Sequence, residues 1–258
     1  MTATTQDILQ HTEAGVCTLT FNRVSKKNSI TAAMYAALAD ALQAGAQDDS
    51  VRAVVFQGDV SVFSAGNDIG DFLQQPTSTQ DSPVYRFLHA IVRFPKPLIA
   101  AVCGPAVGIG TTMLLHCDLV YAGDNAMFSM PFINLGVCPE NASSLLAPQI
   151  FGYQRAAELL LLGEAFNAET GLEIGLVNKV LPPLEVNAYV QSVARKLAAK
   201  PLSSLLATKV LLKKNQTALL ETVIRDEALL FAKMLNEPAA REAMSAFMEK
   251  RKPDFSKL

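Results

Sequence analysis

Histidine and cysteine are scarce in this 258-residue sequence. The three histidines and four cysteines are His11, His89, His116, Cys17, Cys103, Cys117 and Cys138. No two cysteines form a Cys-x-x-Cys pair, so we expect neither a structural zinc site nor a disulfide framework. We interpret His89 and His116 as structural, because they lie in helical patterns without an acidic partner at useful spacing. The sequence thus predicts chemistry without a metal site.

Charged residues are few and unevenly distributed. The chain has 22 Lys and Arg against 24 Asp and Glu, 18% charged residues and a formal net charge of −2. Such a balanced chain lacks the basic surface that is typical of nucleic-acid binding, and we expect no nucleic-acid partner. Residues 97–154 contain no Lys or Arg and only three acidic residues, Asp118, Asp124 and Glu140, whereas about ten charges would match the mean frequency. This segment is predicted to be buried.

The uncharged stretch 98–115 has 18 residues, which is long enough for a membrane span. However, it contains the Gly104-Pro105 step and two further glycines, Gly108 and Gly110. A Gly-Pro step is typical of a turn. We therefore predict a buried strand, a glycine turn and a buried helix, and expect no membrane partner.

Strand and helix patterns alternate along most of the chain. Val16–Phe21 and residues 51–56 are rich in β-forming residues, and Thr31 is a candidate N-cap for an amphipathic helix. Beyond residue 142 the pattern is helical, most clearly at 217–235. Alternating strands and helices predict an α/β fold with a mostly parallel sheet. The helical C-terminal part is of a kind that often packs against another subunit.

Residues 104–110 (GPAVGIG) follow a predicted strand and open a helix. The spacing is GxxxGxG, which differs from the GxGxxG of dinucleotide-binding proteins, and no Lys-Ser/Thr pair follows as in a P-loop. Two interpretations stay open. The glycines allow either tight packing of the helix on the strand, or close approach of a ligand to free N–H groups at the helix start.

A second glycine turn, Ser64-Ala65-Gly66-Asn67-Asp68, also precedes a short helical pattern. Either Asn67 or Asp68 is an ordinary helix N-cap, or free N–H groups of the turn face a ligand. Two turns of this kind are consistent with a two-donor oxyanion site, in which each donor stabilises the transition state by roughly 2.7–4 kcal/mol.

Glu140 is the only charged residue in the segment 125–154. Pro139 is typical of a first helical position, which predicts that Glu140 lies in the first turn of a helix. It is then either a surface carboxylate favoured by the helix dipole or a general base in an apolar pocket. Burial would raise the pKa of this carboxylate, whereas the dipole would lower that pKa. We interpret the neighbouring Cys138 as a small apolar pocket residue, because no positive charge near it would lower its pKa.

Several motifs, in the same order, resemble the crotonase, or enoyl-CoA hydratase/isomerase, superfamily over nearly the whole chain. The matching segments are residues 22–30 (NRVSKKNSI), 62–72 (VFSAGNDIGDF), 96–118 (KPLIAAVCGPAVGIGTTMLLHCD), 128–140 and 168–182 (AETGLEIGLVNKVLP). The resemblance implies a ClpP/crotonase-like fold, a repeated ββα superhelix. It also implies a core with the acyl-CoA site in residues 1–200 and a helical region in 201–258 that forms homotrimers or dimers of trimers.

In that family, two backbone N–H groups hold the thioester oxygen of an acyl-CoA, and the resemblance assigns them to Asn67 and Ile109. Family hydratases use two glutamates, whose positions match Thr112 and Phe132 here. Glu140 instead matches the catalytic glutamate of the peroxisomal type of Δ3,Δ2-enoyl-CoA isomerase. The resemblance therefore implies an isomerase with Glu140 as its proton shuttle, coenzyme A as part of the substrate and no separate cofactor.

The resemblance also implies a set of acyl-CoA-binding residues around the two turns. Its members are Lys26, Lys27, Ser64, Ala65, Gly66, Asp68, Ile69, Phe72, Gly108, Phe132 and Leu135. Core packing explains Phe72, Phe132 and Leu135 equally well, and Lys26 or Lys27 either meets CoA phosphates or lies in a solvated loop. The alternatives to an isomerase are another acyl-CoA reaction, such as weak hydration, and a non-catalytic acyl-CoA-binding protein.

The last three residues, Ser256-Lys257-Leu258, match a peroxisomal targeting signal. The lack of an N-terminal extension is more typical of a compact bacterial protein, in which this tripeptide has no such role. We therefore expect a cytoplasmic protein, with a peroxisomal location as the alternative for a eukaryotic host.

Overall fold

The computed structural model describes residues 7–72, 82–214, 216–249 and 251–257, apart from the side chains of residues 72, 247 and 257. The strands within these ranges are β1 (Ile8–Glu13), β2 (Val16–Phe21), β3 (Ala53–Gln57), β4 (Leu98–Val102), β5 (Pro105–Val107), β6 (Leu119–Gly123), β7 (Met127–Ser129), β8 (Phe166–Asn167) and β9 (Lys179–Leu181). The helices are α1 (Ala32–Gln47), α2 (Ile69–Phe72), α3 (Pro83–Arg93), α4 (Ile109–Thr112), α5 (Ser143–Phe151), α6 (Tyr153–Leu162), α7 (Ala168–Glu173), α8 (Pro183–Ala198), α9 (Leu202–Leu212), α10 (Thr217–Met234) and α11 (Pro238–Met248).

The strands form two sheets. The larger has the order β1-β2-β3-β4-β6-β9, and the smaller has the order β5-β7-β8. In the larger sheet β1 pairs antiparallel with β2, and the other neighbours are parallel. All five residues of β4 are buried, as is usual for a parallel strand that is covered on both faces. The prediction of a mostly parallel α/β fold is confirmed.

Successive strands enter the two sheets in turn. β4 lies in the larger sheet and β5 in the smaller one, and α4 follows; β6 and β7 repeat this order before α5. The chain therefore contains a strand-strand-helix repeat that its sequence does not display. Each repeat carries the chain from one sheet to the other, so the turn after β5 and the loop before α5 lie on the same side of the molecule.

Helix α1 begins where its sequence predicts. Thr31 Oγ1 accepts a hydrogen bond from Met34 N at 3.3 Å and caps the helix. Its apolar stripe, including Leu38 and Leu42, is buried in the main hydrophobic core together with residues of α3 and the sheet. Helix α8 covers the opposite face of the larger sheet and packs into a smaller, second cluster.

The domain boundary predicted at residue 200 falls between α8 and α9. Leu220 and Ile224 of α10 belong to the same main core as the strands, so the C-terminal helices pack directly on the body of the fold. A separate role for residues 201–258 stays a prediction. Across the described ranges, no helix combines the length and the apolar character that crossing a membrane requires.

Candidate active site

The two glycine turns lie directly against each other. Val107 N donates to Ser64 O at 2.9 Å. A Cβ atom on Gly66 would lie 2.7 Å from Val107 O, and one on Gly110 would lie 2.9 Å from Ser64 O, so this contact requires glycine. At Gly108, by contrast, a Cβ atom would meet nothing within 4 Å. Both interpretations of the glycines therefore apply. Gly66 and Gly110 permit tight packing of the two turns, whereas Gly108 leaves open space in which a ligand can approach the backbone.

Each turn presents at least one backbone N–H group that donates to no acceptor among the described residues. Gly66 N donates to a side-chain hydroxyl at 3.1 Å, and Gly108 N donates to a backbone carbonyl at 2.9 Å. For the next residue in each turn, Asn67 and Ile109, no protein acceptor lies within hydrogen-bonding distance of the backbone N–H among the described residues. Both residues line the same cavity. This arrangement fits the two-donor oxyanion site that the sequence predicts.

The cavity beside these donors has a volume of about 630 Å³. Its apolar lining comes from three parts of the chain and includes Val107, Pro131, Phe132, Leu135, Val137, Phe231, Met244 and Met248. The predicted site residues that it brings together are Lys26, Lys27, Ala65, Gly66, Asn67, Asp68, Ile69, Gly108, Ile109, Phe132, Leu135 and Glu140. The two lysines are exposed, whereas Phe132 is 4% exposed. The chain thus builds an apolar cavity with polar groups at one side.

Ser64 is not among the described residues that line the cavity. Ser64 is fully buried, its Oγ donates to Asn28 O at 2.9 Å, and it accepts from Gly66 N at 3.1 Å. The expectation that Ser64 contacts acyl-CoA is therefore corrected. Both hydrogen bonds of its hydroxyl group are made within the protein, where they stabilise the glycine turn. The side chain of Phe72 lies outside the described residues.

Asp68 has a structural task at the cavity edge. Its Oδ2 pairs with Arg23 Nη1 at 2.7 Å, and its Oδ1 accepts from Asp71 N at 3.1 Å at the start of α2. The Arg23 guanidinium is the main cause that lowers the pKa of Asp68. Of the two candidate N-caps, Asp68 is the one that caps the helix, and its carboxylate is already paired.

Glu140 does not lie in a helix, contrary to expectation. Helix α5 begins only at Ser143, because Asn141 and Ala142 adopt φ angles of 61° and 56°. These left-handed angles are rare for residues other than glycine and prevent a continuous helix from Pro139 onward. Ser143 Oγ donates to the Glu140 carbonyl oxygen at 2.6 Å and fixes the turn.

The N-terminus of α5 is occupied by a different carboxylate, that of Glu227 on α10. Glu227 Oε2 accepts from Ala142 N at 2.6 Å, and its Oε1 accepts from Ser144 N at 3.0 Å and Ser144 Oγ at 2.5 Å. The carboxylate of Glu227 is therefore the one that pairs with the free N–H groups at this positive end of the α5 dipole. The sequence analysis missed Glu227, since 85 residues separate it from Ala142 and no local pattern links the two.

The environment of Glu140 favours its protonated form. Burial raises the pKa of Glu140 to about 7, repulsion from Glu227 contributes to the rise, and a hydrogen bond from the Asn67 side chain opposes it. Glu140 lines the cavity and is partly exposed there, yet its Oε1 is buried with no protein partner among the described residues. A carboxylate with a pKa near 7 suits a general base, and this supports the pocket interpretation over that of a surface carboxylate.

Three other residues from the sequence analysis surround this centre without taking part in it. Thr112 is fully buried in α4 and carries no carboxylate. Burial lowers the pKa of His116 to about 4, so its neutral ring donates from Nε2 to Asn141 O at 2.8 Å, in line with a structural role. Cys138 is absent from the cavity lining, which corrects its assignment as a pocket residue. Burial also raises the pKa of the Cys138 thiol to about 11.

His89 lies elsewhere, on α3 where this helix packs against α10. Its Nδ1 is 3.7 Å from Glu221 Oε1, an acidic partner that no local spacing indicates. The two residues are far apart in the sequence, and only the packing of α10 on α3 brings them together. Burial lowers the pKa of His89 despite this partner.

The sequence analysis also missed the contribution of the C-terminal helices to the cavity. Phe231 of α10 and Met244 and Met248 of α11 line it. The helical pattern of both segments was recognised, but an apolar stripe alone does not show which surface it covers. A further missed residue is Tyr35 of α1, whose hydroxyl donates to Asn67 Oδ1 at 2.5 Å.

Comparison with known proteins identifies the class to which this fold and cavity belong. The family described as enoyl-CoA hydratase/isomerase matches residues 11–257, and the chain belongs to that family. The solved structure of Pseudomonas aeruginosa OdaA superposes with a TM-score of 0.92 at 46% identity, covering 95% of this chain and 99% of that one. The predicted crotonase fold is thereby confirmed.

Two curated relatives are informative. The chain is 37% identical to enoyl-CoA delta isomerase 2 of Rattus norvegicus over 95% of its own length, and it spans only 64% of that protein. It is 36% identical to 1,2-epoxyphenylacetyl-CoA isomerase of Escherichia coli, with 96% and 98% of the two chains covered. Other relatives carry the names of a hydratase and of dehalogenases. The relatives thus share one family and are named for several different reactions.

Proposed function

We propose that this protein is a Δ3,Δ2-enoyl-CoA isomerase, which moves the double bond of a 3-enoyl-CoA to the 2-position. The observation that carries the proposal is Glu140, a carboxylate whose pKa burial raises to about 7. Among the described residues its Oε1 has no partner, and the N–H groups of Asn67 and Ile109 in the same cavity have no acceptor. Asp68 is the other carboxylate of that cavity within the described chain, but it is paired with Arg23 and caps α2.

The proposed reaction uses one base and two hydrogen-bond donors. The thioester oxygen accepts hydrogen bonds from the N–H groups of Asn67 and Ile109. The Glu140 carboxylate removes a proton from C2, and the electron pair of the C–H bond moves into an enolate whose negative charge rests on that oxygen. The C3–C4 double bond then takes up the proton from Glu140 at C4 as C2 and C3 become doubly bonded. No proton is gained or lost, so a single carboxylate suffices.

The lining of the cavity supports isomerisation over hydration. Water addition in the family uses two glutamates, and their positions hold Thr112 and Phe132 here. Phe132 lines the cavity and Thr112 is fully buried, so neither position supplies a second carboxylate to activate water. The apolar walls also exclude water, which would otherwise exchange the proton carried by Glu140.

The test is a direct comparison of two substrates and two variants. Purified protein is expected to convert 3-hexenoyl-CoA to its conjugated 2-enoyl isomer, detected by the absorbance of the product. Glu140→Gln is expected to lose at least about a hundredfold in kcat, the range of a positioned general base, while it still binds CoA ligands. Glu164→Gln, a change of an exposed glutamate outside the cavity, serves as the matched control and keeps full activity.

Two results would contradict the proposal. An unchanged rate in Glu140→Gln would exclude Glu140 as the base. Hydration of crotonyl-CoA as fast as isomerisation of the 3-enoyl substrate would favour a hydratase, and binding of acyl-CoA without turnover would favour a non-catalytic protein.

We also propose that the exposed Lys26 and Lys27 meet CoA phosphates and that the protein assembles as a trimer or a dimer of trimers. Exposed leucines support the assembly, for example Leu184, which is 83% exposed, and Leu212, which is 76% exposed. Light scattering on a size-exclusion column tests the assembly, because it measures the mass of the particle, which is expected to be three or six times that of the 27.7 kDa chain.

A cytoplasmic location stays a prediction, and Leu258 of the terminal tripeptide lies outside the described residues.

A further inference from the structure

Tyr35 is buried on α1, behind the first glycine turn. It is 1% exposed, and its ring lies 5.5 Å from that of Phe87 between centroids. Its hydroxyl donates to Asn67 Oδ1 at 2.5 Å. The backbone N–H of Asn67 belongs to the proposed oxyanion site. Tyr35 contacts only the side chain of Asn67, so this contact is separate from the oxyanion site.

The hydroxyl of Tyr35 fixes which way the Asn67 carboxamide faces. Burial raises the pKa of Tyr35 well above its ordinary value, and the nearby Glu140 adds to this, so the hydroxyl keeps its proton. An amide oxygen accepts hydrogen bonds and an amide nitrogen donates them. Because the oxygen of Asn67 is held by Tyr35, its NH₂ group is the part left to donate to the Glu140 carboxylate.

We propose that Tyr35 is a positioning residue for the proton-transfer base, acting through the Asn67 carboxamide. With that amide fixed, the Glu140 carboxylate keeps a donor beside it and a constant environment at the cavity. The proposal deepens the isomerase assignment and rests on it for the identity of the reaction, but the hydrogen bond between Tyr35 and Asn67, and the cavity that Asn67 and Glu140 both line, exist without substrate.

Few other groups around Glu140 change charge near neutral pH. Glu227 on α10 faces it as a carboxylate whose own pKa is raised by burial. The Cys138 thiol keeps its proton, since burial raises its pKa to about 11, and His116 is neutral behind the loop because burial lowers its pKa to about 4. A variant that removes only the Tyr35 hydroxyl leaves all three in place.

The test measures the ionisation of Glu140 in the full-length protein. Carbon-13 NMR of protein labelled at the glutamate carboxyl carbons, with Glu140→Gln to assign the signal, gives the midpoint of its titration. Tyr35→Phe keeps the aromatic ring and is expected to raise that midpoint by about one pH unit, a tenfold change in proton affinity, because the amide is no longer held as a donor. We expect kcat for the 3-enoyl substrate to fall about tenfold and KM to stay within about twofold.

Tyr121→Phe is the matched control. Tyr121 is 8% exposed and packs against Tyr189, in the cluster under α8. Loss of its hydroxyl is expected to change neither the titration of Glu140 nor kcat. An unchanged titration midpoint in Tyr35→Phe overturns the proposal, and so does a change of equal size in both tyrosine variants.

Asn67→Ala provides the second line of evidence and does not depend on whether Tyr35→Phe folds. It removes the carboxamide but keeps the backbone N–H, and the Glu140 midpoint is expected to rise as in Tyr35→Phe. If Tyr35 acts through Asn67, the double variant shows no further rise, whereas additive shifts refute the relay. The NMR titration needs no turnover, so a wild-type protein without isomerase activity refutes the proposed function and leaves this result standing.

Discussion

Replacement of Glu140 by glutamine is expected to inactivate the protein and to stabilise its fold at neutral pH. Burial, and next the repulsion from Glu227, raise the pKa of Glu140 from 4.5 to about 7. Below pH 4.5 the group is protonated in both the folded and the unfolded chain and has no effect on stability. Between 4.5 and 7 the unfolded chain ionises first, so the folded protein loses stability as the pH rises. Above 7 this loss is complete.

The magnitude follows from the shift. At about 1.4 kcal/mol for each pKa unit, a rise from 4.5 to about 7 corresponds to about 3 kcal/mol of unfolding free energy. Partial access of solvent through the cavity reduces this, and we expect about 2–3 kcal/mol. Glutamine has nearly the same shape and no charge, so the variant does not lose stability over this interval.

Urea denaturation of both proteins, at equal protein concentration, provides the assay at intervals from about pH 4 to about pH 8. The stability of Glu140→Gln relative to wild type is expected to increase across this range by the amount given above. The quantity to be compared is the change with pH in the difference in unfolding free energy between the two proteins. Any contribution of the new amide that does not depend on pH is the same at every pH and cancels in this comparison. Glu164→Gln is expected to show no such trend. A difference between wild type and Glu140→Gln that stays constant with pH would refute the reasoning.

Two further outcomes follow from contacts of the site. Glu227→Gln removes the like charge near Glu140, so the pH of half-maximal kcat/KM is expected to fall from about 7; a pH profile that does not move would contradict the repulsion. Gly104→Ala is expected to destabilise the fold by more than about 3 kcal/mol, because its Cβ would lie 2.0 Å from Ser61 O. Gly175→Ala also lies at a positive φ, but its Cβ would meet no atom closer than 3.8 Å, and it should cost only about 1 kcal/mol in urea denaturation; equal losses would exclude the steric explanation.

Local patterns predicted the elements that contain a run of β-forming apolar residues or begin at a capping residue. Strand β2 has the predicted bounds, and α1 begins at its Thr31 cap. Strand β1 was missed because only Ile8 among its six residues is buried, so this edge strand has no apolar alternation. Strand β5 was missed because its three residues, from Pro105 to Val107, lie inside the glycine motif.

In the site, the sequence indicated positions more reliably than contacts. The two glycine turns and the isolated Glu140 were recognisable because backbone freedom and a single charge are local properties. Tyr35 is separated from Asn67 by 32 residues and Glu227 from Ala142 by 85, and no periodicity relates residues at such distances. The helix predicted at Glu140 failed for a similar reason, since the left-handed turn after it is stabilised by hydrogen bonds from elsewhere in the fold.

The contact between Glu227 and the start of α5 has a consequence for the order in which the protein matures. During synthesis, the loop that carries Glu140 leaves the ribosome well before α10 exists, and the N–H groups of Ala142 and Ser144 then lack their acceptor. The sheet and the glycine turns contain most of their partners by that stage. Amide protection at Ala142 and Ser144 should therefore appear together with that of α10 when the full-length chain refolds. On the ribosome, the loop that carries Glu140 is held in place only after the C-terminal helices that line the cavity have been made.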